Sequence, residues 1–255
     1  MGIILKNRRE IELMRKAGRI VHAALDAVEA ACVPGKSTWE LNRIANQVLE
    51  THGARSCFLG YSPRSSPPYP AVLCTSVNEV VVHGIPRKDV VLAEGDVIGI
   101  DFACFKDGYA ADAARTVAVG VISQPARALI DATRESLMRG IARCVPGARL
   151  GDVSNAVQRC AEEHGYSVVR DLVGHGIGRA MHEPPSVPNF GRAGLGLRLE
   201  PGLVIAIEPM LNARGPAVHT RDDAWTIATD DGGLSAHFEH TVAITEAGPQ
   251  ILTAP

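Results

Sequence analysis

Four carboxylates and one imidazole are the side chains of this chain whose types and spacing point to chemistry. The acids are Asp101, Asp112, Glu208 and Glu239, and each of them ends or adjoins an apolar run. The imidazole is His175, inside the segment Gly-His-Gly-Ile-Gly at residues 174–178. Carboxylates gathered in an apolar interior repel one another and take up protons unless a cation neutralises them. One imidazole with four carboxylates suits a pair of divalent metal ions, which predicts metal-assisted hydrolysis.

A turn signal places the first two acids on neighbouring strands. Asp101 follows the apolar segment 97–100, and Asp107-Gly108 lies between it and Asp112. Asp-Gly between apolar stretches is typical of a β-hairpin, so we expect these two carboxylates to share a metal ion. An acid on an edge strand that faces water is the alternative for Asp101. Its position directly after an apolar run disfavours that alternative.

Two pairs of similar segments indicate that the chain consists of two related halves. Residues 32–53 and 144–165 both open with Cys-Val-Pro-Gly and share seven positions at an offset of 112 residues. Residues 92–101 resemble residues 199–208 at an offset of 107. In both segments a turn precedes an apolar run, which predicts a buried strand that ends in a carboxylate. Chance similarity of short motifs is the alternative, and the matched carboxylates disfavour it.

Each half is expected to begin with two helices, and strands follow them. Helical spacing predicts the first helix of each half over roughly residues 8–31 and 125–143. The second helix is expected to have Ser37 as its N-cap in the first half, and Gly151 or Asp152 in the second. We therefore predict a single α+β domain over residues 1–255. Its halves, about 8–120 and 125–252, would be related by an approximate two-fold axis.

Composition excludes several classes of protein. The chain has 255 residues, is 46% hydrophobic and has a net charge of −2 without a long run of one sign, so no specific nucleic-acid partner is expected. No apolar run approaches the roughly 18 residues of a membrane span. Six scattered cysteines without a Cys-x-x-Cys pair, and an N-terminus without an apolar signal core, predict a reduced, cytoplasmic enzyme.

Basic residues crowd the N-terminus. We interpret them as a solvated helix face, and a docking surface for an acidic partner is the alternative. They are Lys6, Arg8, Arg9, Arg15, Lys16 and Arg19.

Two further histidines are candidates for proton transfer. His83 follows the apolar segment 80–82 and precedes a turn, and His182 follows His175 by seven residues. Either could be an ordinary polar cap. Because neither is needed as a metal ligand, both could donate or accept protons.

Five motifs, in order, resemble those of type I methionine aminopeptidases. They are residues 78–86 (Asn-Glu-Val-Val-Val-His-Gly-Ile-Pro), Asp101 with Asp112, residues 174–178, residues 206–210 (Ala-Ile-Glu-Pro-Met) and residues 239–241 (Glu-His-Thr). Order and spacing agree over roughly residues 7–252. The resemblance implies the pseudo-two-fold α+β fold called pita-bread, with antiparallel sheets flanked by helices. It also implies metal-dependent removal of the N-terminal initiator methionine from nascent proteins and peptides, preferably when the second residue is small.

The resemblance also implies roles for particular residues. Two divalent ions (Co, Mn, Fe or Zn) would be bound by Asp101, Asp112, His175, Glu208 and Glu239, with Asp112 and Glu239 bridging them. Glu208 would handle the proton of the attacking water, His182 would hydrogen-bond the substrate carbonyl oxygen, and His83 would face the leaving amine. The methionine pocket would be lined by Phe58, Tyr61, Tyr69, Cys74, Met181 and Trp225.

The chain departs from the family pattern beside this pocket. Residues 62–68 form a connection several residues longer than usual, and Leu172 and Ala103 replace an aromatic residue or Met and a hydroxyl residue. Only 32 residues lie between His175 and Glu208, which favours the type I enzymes because type II enzymes carry a long insertion there.

Two other functions remain open. A proline-specific aminopeptidase or dipeptidase would share the fold and metal ligands, but the roughly 100 residues before Asp101 leave no room for its usual N-terminal domain. A non-catalytic pita-bread binding scaffold would be expected to lack ligands, and none of the five is missing. The expected partner is the N-terminal Met of nascent polypeptides, with a transient ribosome contact left open. No membrane contact is predicted, and we expect a monomer.

Overall fold

Two pairs of helices, each followed by a series of strands, make up the chain in a computed structural model that describes residues 2–63 and 66–255. Within these residues the four helices are α1 (Arg8–Glu29), α2 (Thr38–His52), α3 (Gln124–Ile141) and α4 (Leu150–Glu163). The strands are β1 (Arg55–Ser56), β2 (Cys74–Val77), β3 (Val80–Val82), β4 (Val97–Lys106), β5 (Tyr109–Ala118), β6 (Ser167–Val168), β7 (Gly174–Gly176), β8 (Glu183–Val187), β9 (Val204–Ile207), β10 (Met210–Asn212), β11 (Val218–Thr220), β12 (Ile227–Thr229), β13 (Ser235–His237), β14 (Glu239–Thr245) and β15 (Gly248–Ile251). Arg64 and Ser65, in the lengthened 62–68 connection, lie outside the described residues. Among the described helices, none is long and apolar enough to span a membrane.

The helix starts show where local sequence signals succeed and where they mislead. Ser37 is the N-cap of α2, as predicted, and its hydroxyl accepts a hydrogen bond from the Glu40 backbone N–H. The predicted N-cap of α4 is wrong, because Arg149 occupies that position. Asp152 is the third residue of the helix, and its carboxylate accepts a hydrogen bond from the Arg149 backbone N–H at 2.7 Å. Asp152 is therefore the N3 residue of a capping box, three residues after the N-cap, and not the N-cap itself.

The similar segments of the two halves share backbone geometry. Gly35 and Gly147 both have φ of 86°, in the left-handed region that favours glycine. Their N–H groups donate to the carbonyls of Leu92 and Leu199, each at 2.8 Å. These bonds join the start of the second helix in each half to the loop before its main strand. The two-fold relation of the complete halves stays a prediction.

One nine-stranded sheet carries most of the fold. Its strand order is β1-β4-β5-β14-β9-β7-β8, with β15 also pairing with β14 and β2 with β4. Two further sheets of three strands are ordered β13-β10-β6 and β11-β12-β3. Alternation along β4 separates two environments: residues 98, 100, 102 and 104 pack against α1 and α2, while Asp101 and Ala103 face the opposite side. The helices thus cover one face of the sheet and leave the other for a site.

The predicted Asp107-Gly108 hairpin is confirmed. Lys106 pairs with Tyr109, and the two turn residues have φ of 51° and 82°, as a type I′ turn requires. The expectation that Asp101 ends its strand is wrong, since β4 continues to Lys106. The strand continues because the hairpin partners stay paired up to the turn.

The N-terminal basic residues do not form one solvated face. Arg8, Arg9, Lys16 and Arg19 are exposed, but Lys6 is buried and its ammonium lies 2.7 Å from the Glu183 carboxylate. The solvated-face interpretation is therefore wrong for Lys6. Sequence composition could not reveal this, because the partner lies 177 positions away.

Candidate metal centre

Strand register places three of the four acids, Asp101, Asp112 and Glu239, on one face of the sheet. Asp101 on β4 pairs with Ala114 on β5, and Ala114 pairs with Glu239 on β14. Residues directly opposite one another in a sheet point to the same face, so Asp101 and Glu239 flank Ala114 on one side. Asp112 precedes Ala114 by two residues and therefore points to that side as well. The hairpin and β14 together bring three carboxylates into one row.

The second half adds an imidazole and a fourth acid to the same face. Thr241 on β14 pairs with Ala206 on β9, and Ala206 pairs with His175 on β7. Thr241 lies two residues after Glu239, so His175 also points to the face that carries the acids. Glu208 lies two residues after Ala206, just beyond the end of β9. All five predicted ligands therefore converge on one face.

The ligand atoms are close to one another. One atom each from Asp112, His175 and Glu239 lies within 4.8 Å of the others. His175 Nε2 is 3.7 Å from Glu208 Oε1. His175 Nδ1 lies 2.8 Å from the Gly176 carbonyl oxygen, which can only accept a hydrogen bond, so Nδ1 carries the proton. This bond leaves the lone pair of Nε2 free to bind a metal.

The glycines beside His175 make room for the neighbouring strands. A Cβ atom on Gly174 would lie 2.3 Å from the Ala206 carbonyl oxygen. A Cβ atom on Gly176 would lie 2.1 Å from the Pro184 carbonyl oxygen. The short strand β7 can therefore pass between β9 and β8 only with glycine at both positions.

Burial changes the protonation of the acids. Desolvation raises the pKa of Asp101, Glu208 and Glu239 well above the usual carboxyl range, and the negative charge of Asp112 adds to the effect. Desolvation also raises the pKa of Asp112 to about 7, and hydrogen bonds to Asp101 and the Ala113 backbone oppose this increase. Such a cluster is stable in its ionised form only with a cation at its centre.

The orphaned oxygens of the cluster fit a metal ion. Three buried carboxylate oxygens have no hydrogen-bond partner among the described residues: Asp101 Oδ1, Asp112 Oδ1 and Glu239 Oε1. Buried carboxylate oxygens are normally paired, so three orphans on one face indicate a missing positive charge. Desolvation lowers the pKa of His175 to about 3, so its imidazole is the neutral form that binds metals. The residues present therefore fit one or more divalent cations.

The acids line a cleft, and all thirteen of the site residues predicted from the sequence line it as well. The cleft encloses about 670 Å³ of empty space, part of which is open to solvent. Its lining comprises the five candidate ligands, together with His83, His182, Phe58, Tyr61, Tyr69, Cys74, Met181 and Trp225. Pro63, from the lengthened connection, also lines it. Tyr69 and Trp225 meet edge to face at 5.1 Å, and Trp225 Nε1 donates to the Pro67 carbonyl at 2.9 Å.

The two further histidines both line the cleft, His83 beside Trp225 and His182 beside Tyr61. His83 follows β3 with φ of 60°, and burial lowers its pKa to about 4. His182 is exposed at the rim, and partial desolvation lowers its pKa. Its Nδ1 lies 2.8 Å from the Tyr61 hydroxyl, and its ring centroid is 4.3 Å from that of His175. When the Tyr61 hydroxyl is the donor in this bond, the proton of the neutral imidazole is on Nε2, from which His182 can donate a hydrogen bond.

Two supporting residues escaped the sequence interpretation. The Thr241 hydroxyl donates to the Asp112 carbonyl at 2.7 Å and accepts from the Asp112 N–H at 2.9 Å, which holds this ligand in place. The Asn189 amide donates to the Glu208 carbonyl at 3.0 Å. Thr241 lies in the Glu-His-Thr motif, which was its only sequence signal. Asn189 had none, because its role depends on a contact 19 positions away.

Comparisons with known proteins agree with the family resemblance of the five sequence motifs. The model of metallopeptidase family M24 matches residues 12–246. The chain is 48% identical to methionine aminopeptidase B of Synechocystis over 252 residues, covering 99% of this chain and 92% of the relative. It is 50% identical to a methionine aminopeptidase of Clostridium perfringens over 251 residues, covering 98% of each.

Solved structures confirm the predicted fold. The methionine aminopeptidase of Thermotoga maritima superposes with a TM-score of 0.96, 42% identity and complete coverage of both chains. The prolidase of Pyrococcus furiosus superposes with a TM-score of 0.77 at 23% identity, and the match covers 99% of this chain and 66% of that one. At this identity the second likeness shows a shared fold alone.

Proposed function

Because the chain belongs to metallopeptidase family M24, we propose that it is a metalloaminopeptidase that removes the N-terminal methionine from nascent proteins and peptides. The observation that carries the proposal is the convergence of three buried carboxylates, the partly buried Glu208 carboxylate and a neutral imidazole on one face of the sheet, beside an apolar cleft. Relatives of 48% and 50% identity over nearly the whole chain bear the name methionine aminopeptidase, which supports this substrate.

The cleft suits a single apolar side chain. Phe58, Tyr69, Cys74, Met181 and Trp225 are each less than 10% exposed and form its apolar walls. Sulfur and aromatic groups make favourable contacts with a thioether, so a methionine side chain fits these walls. The rings of Tyr61, His83 and His182 also line this cleft. We therefore expect a small second residue to be preferred, since a large one would meet these rings.

The five ligands would hold two divalent ions, with Asp112 and Glu239 shared between them. When bound, such ions lower the pKa of a water molecule and withdraw charge from the scissile carbonyl. Mixed carboxylate and imidazole donors accept Mn, Fe, Co and Zn, so the ligands do not select one metal.

Side chains of the protein move protons and stabilise charge around the reacting carbonyl. Glu208, whose carboxylate lies beside His175 in the cleft, takes the proton of the attacking water. His182 donates from Nε2 to the carbonyl oxygen as negative charge develops there. His83 is neutral because burial lowers its pKa, and it faces the nitrogen of the leaving amine.

The remaining proposals concern the setting of the enzyme. The six cysteines are free and buried, which supports a reducing compartment such as the cytoplasm. The substrate is the N-terminal Met of a nascent chain, which would require transient access to the ribosome. We also propose that the enzyme acts as a monomer.

Peptide hydrolysis tests the function directly. Purified protein with added Mn²⁺ or Co²⁺ is expected to release methionine from Met-Gly-Met and Met-Ala-Ser, and to leave Ala-Pro and Met-Pro intact. Release of free proline from Ala-Pro or Met-Pro instead would indicate a proline-specific peptidase. Failure to release methionine with added Mn²⁺, Co²⁺, Fe²⁺ or Zn²⁺ would refute the proposal.

A matched pair of histidine variants separates catalysis from folding. His175→Ala should abolish activity and reduce the metal content, because it removes the only nitrogen ligand among the five. His52→Ala, which changes an exposed histidine at the end of α2, should keep both. An active His175→Ala variant that retains two ions would contradict the ligand assignment.

A further inference from the structure

Among the described residues, Lys6 is the buried cation that the proposed mechanism does not use. Its side chain is 3% exposed, and its ammonium lies 2.7 Å from Glu183 Oε2, whose side chain is 10% exposed. Most lysines are solvated, because desolvating an ammonium group is unfavourable without a partner. The burial of this pair therefore calls for a specific reason, and the position of Glu183 supplies one.

Glu183 closes the loop that carries two cleft residues. Its Oε1 accepts a hydrogen bond from the Ala180 N–H at 3.1 Å, while its Oε2 binds Lys6. Met181 and His182 lie between Ala180 and Glu183, and both line the cleft. The carboxylate thus ties the two ends of a four-residue turn together. The orientation of both cleft residues depends on this turn.

The surrounding backbone is built to admit Lys6. Its N–H donates to the Gly202 carbonyl at 2.7 Å, and a Cβ atom on Gly202 would lie 2.7 Å from the Lys6 carbonyl oxygen. A Cβ atom on Gly178 would lie 2.5 Å from Lys6 Cε and 2.7 Å from Glu183 Oε1. Two glycines therefore leave the space through which the N-terminal segment and its side chain reach the loop. Gly178 is itself fixed, since its carbonyl accepts from the Ala110 N–H at 2.8 Å.

We propose that Lys6 is a positioning residue that acts through Glu183 to hold Met181 and His182 in the cleft. The inference rests on the proposed function, because it assigns His182 to the carbonyl oxygen and Met181 to the methionine pocket. It connects the first residues of the chain, which precede α1, to the efficiency of the site. A shift of about 1 Å in a catalytic group can lower a rate about 100-fold. A loosened loop is therefore expected to reduce kcat while the metal ligands stay intact.

Four variants test the pair. Lys6→Met keeps the length of the side chain and removes its charge, and is expected to lower kcat about 10-fold or more. Lys6→Arg should restore most of the loss, because a guanidinium can also pair with Glu183. Gly178→Ala inserts a methyl group into the space of Lys6 Cε and should resemble Lys6→Met. The double variant Lys6→Met/Glu183→Gln leaves no unpaired buried charge, so it tests the idea even if Lys6→Met folds poorly.

Two readouts distinguish positioning from a general loss of structure. The first is selectivity, measured as the ratio of kcat/KM for Met-Ala-Ser to kcat/KM for the same peptide with norleucine in place of Met. This ratio should change when Met181 moves. A smaller fraction of folded enzyme would leave this ratio and KM unchanged. The second is hydrogen–deuterium exchange by mass spectrometry, in which peptides that cover residues 178–183 should exchange faster in Lys6→Met. This readout does not require activity.

Lys16→Met is the matched control. Lys16 is on α1, and its ammonium is 3.5 Å from the exposed carboxylate of Asp107. Its loss should change neither selectivity nor exchange in residues 178–183. A folded Lys6→Met enzyme with wild-type kcat, selectivity and loop exchange would overturn the proposal. If the wild-type enzyme fails to release methionine, the proposed function is refuted, and faster loop exchange in Lys6→Met still measures the positioning effect.

Discussion

Removal of metal should invert the pH dependence of stability. Without a cation, burial holds the pKa of Asp112 at about 7, against an ordinary value of 3.8, so the folded state binds more protons than the unfolded state between these pH values. The free energy of unfolding then decreases as pH rises through this range, and the contribution of Asp112 levels off above pH 7. Below about pH 4 the group is protonated in both states and contributes nothing.

The size of the effect follows from the pKa difference. A difference of about three pH units corresponds to about 4 kcal/mol for Asp112 over its full range, and about 2–3 kcal/mol of this falls between pH 5 and 8. The pKa of Asp101, Glu208 and Glu239 is raised too, so their ionisation adds to the loss at higher pH. Against a typical stability of about 5–15 kcal/mol, this is a large change.

Urea unfolding at pH 5, 6, 7 and 8, with excess EDTA or with saturating Mn²⁺, measures the effect. The metal-free protein should become less stable as pH rises. The Mn²⁺ form should hold or gain stability, because protons compete with metal for the ligands. Asp112→Asn should flatten the metal-free curve, whereas Glu12→Gln, an exposed acid on α1, should leave it unchanged. Parallel curves with and without metal would refute the account of the buried acids.

Three substitutions probe the supports of the site and of the fold. Tyr61→Phe removes the hydroxyl bonded to His182 Nδ1, and should lower kcat/KM about 3–10-fold in steady-state assays with unchanged metal content; full activity would count against the assigned tautomer. Asn189→Ala frees the Glu208 carbonyl and should weaken metal binding about 10-fold by calorimetry, and an unaltered Kd would exclude this role. Gly18→Ala places a Cβ atom 2.0 Å from the Leu252 carbonyl oxygen. It should therefore destabilise the fold by about 1–3 kcal/mol and lower Tm by several degrees. An unchanged Tm would show that α1 and the segment around Leu252 can separate at no cost.

The predictions that succeeded rest on local signals or on the family resemblance. The Asp107-Gly108 turn was readable because only residues that tolerate positive φ suit such a hairpin. The α2 cap was readable because Ser37 and Glu40 lie within one helical turn. The wall of the cleft came from motif order, and all six pocket residues line it. The role of each wall residue in binding methionine stays a prediction.

The predictions that failed depend on contacts between distant segments. Asp101 was expected at the end of a strand, but its pairing through the hairpin keeps β4 regular for five more residues. Lys6 was assigned to a solvated face, whereas its side chain is buried and its ammonium pairs with Glu183, from the other half of the chain. Composition and periodicity describe the neighbours of a residue along the chain. They contain no information on a partner 177 positions away.

By itself, the sequence determined which side chains can bind metal and on which face of each strand they point, because side-chain alternation and turn chemistry are local properties. Tertiary structure alone decided that the acids meet. The alignment of Asp101, Ala114 and Glu239 across three strands depends on a register set by packing of the whole sheet against its helices. The same packing created the supports around the site, from the Thr241 clamp on Asp112 to the buried Lys6.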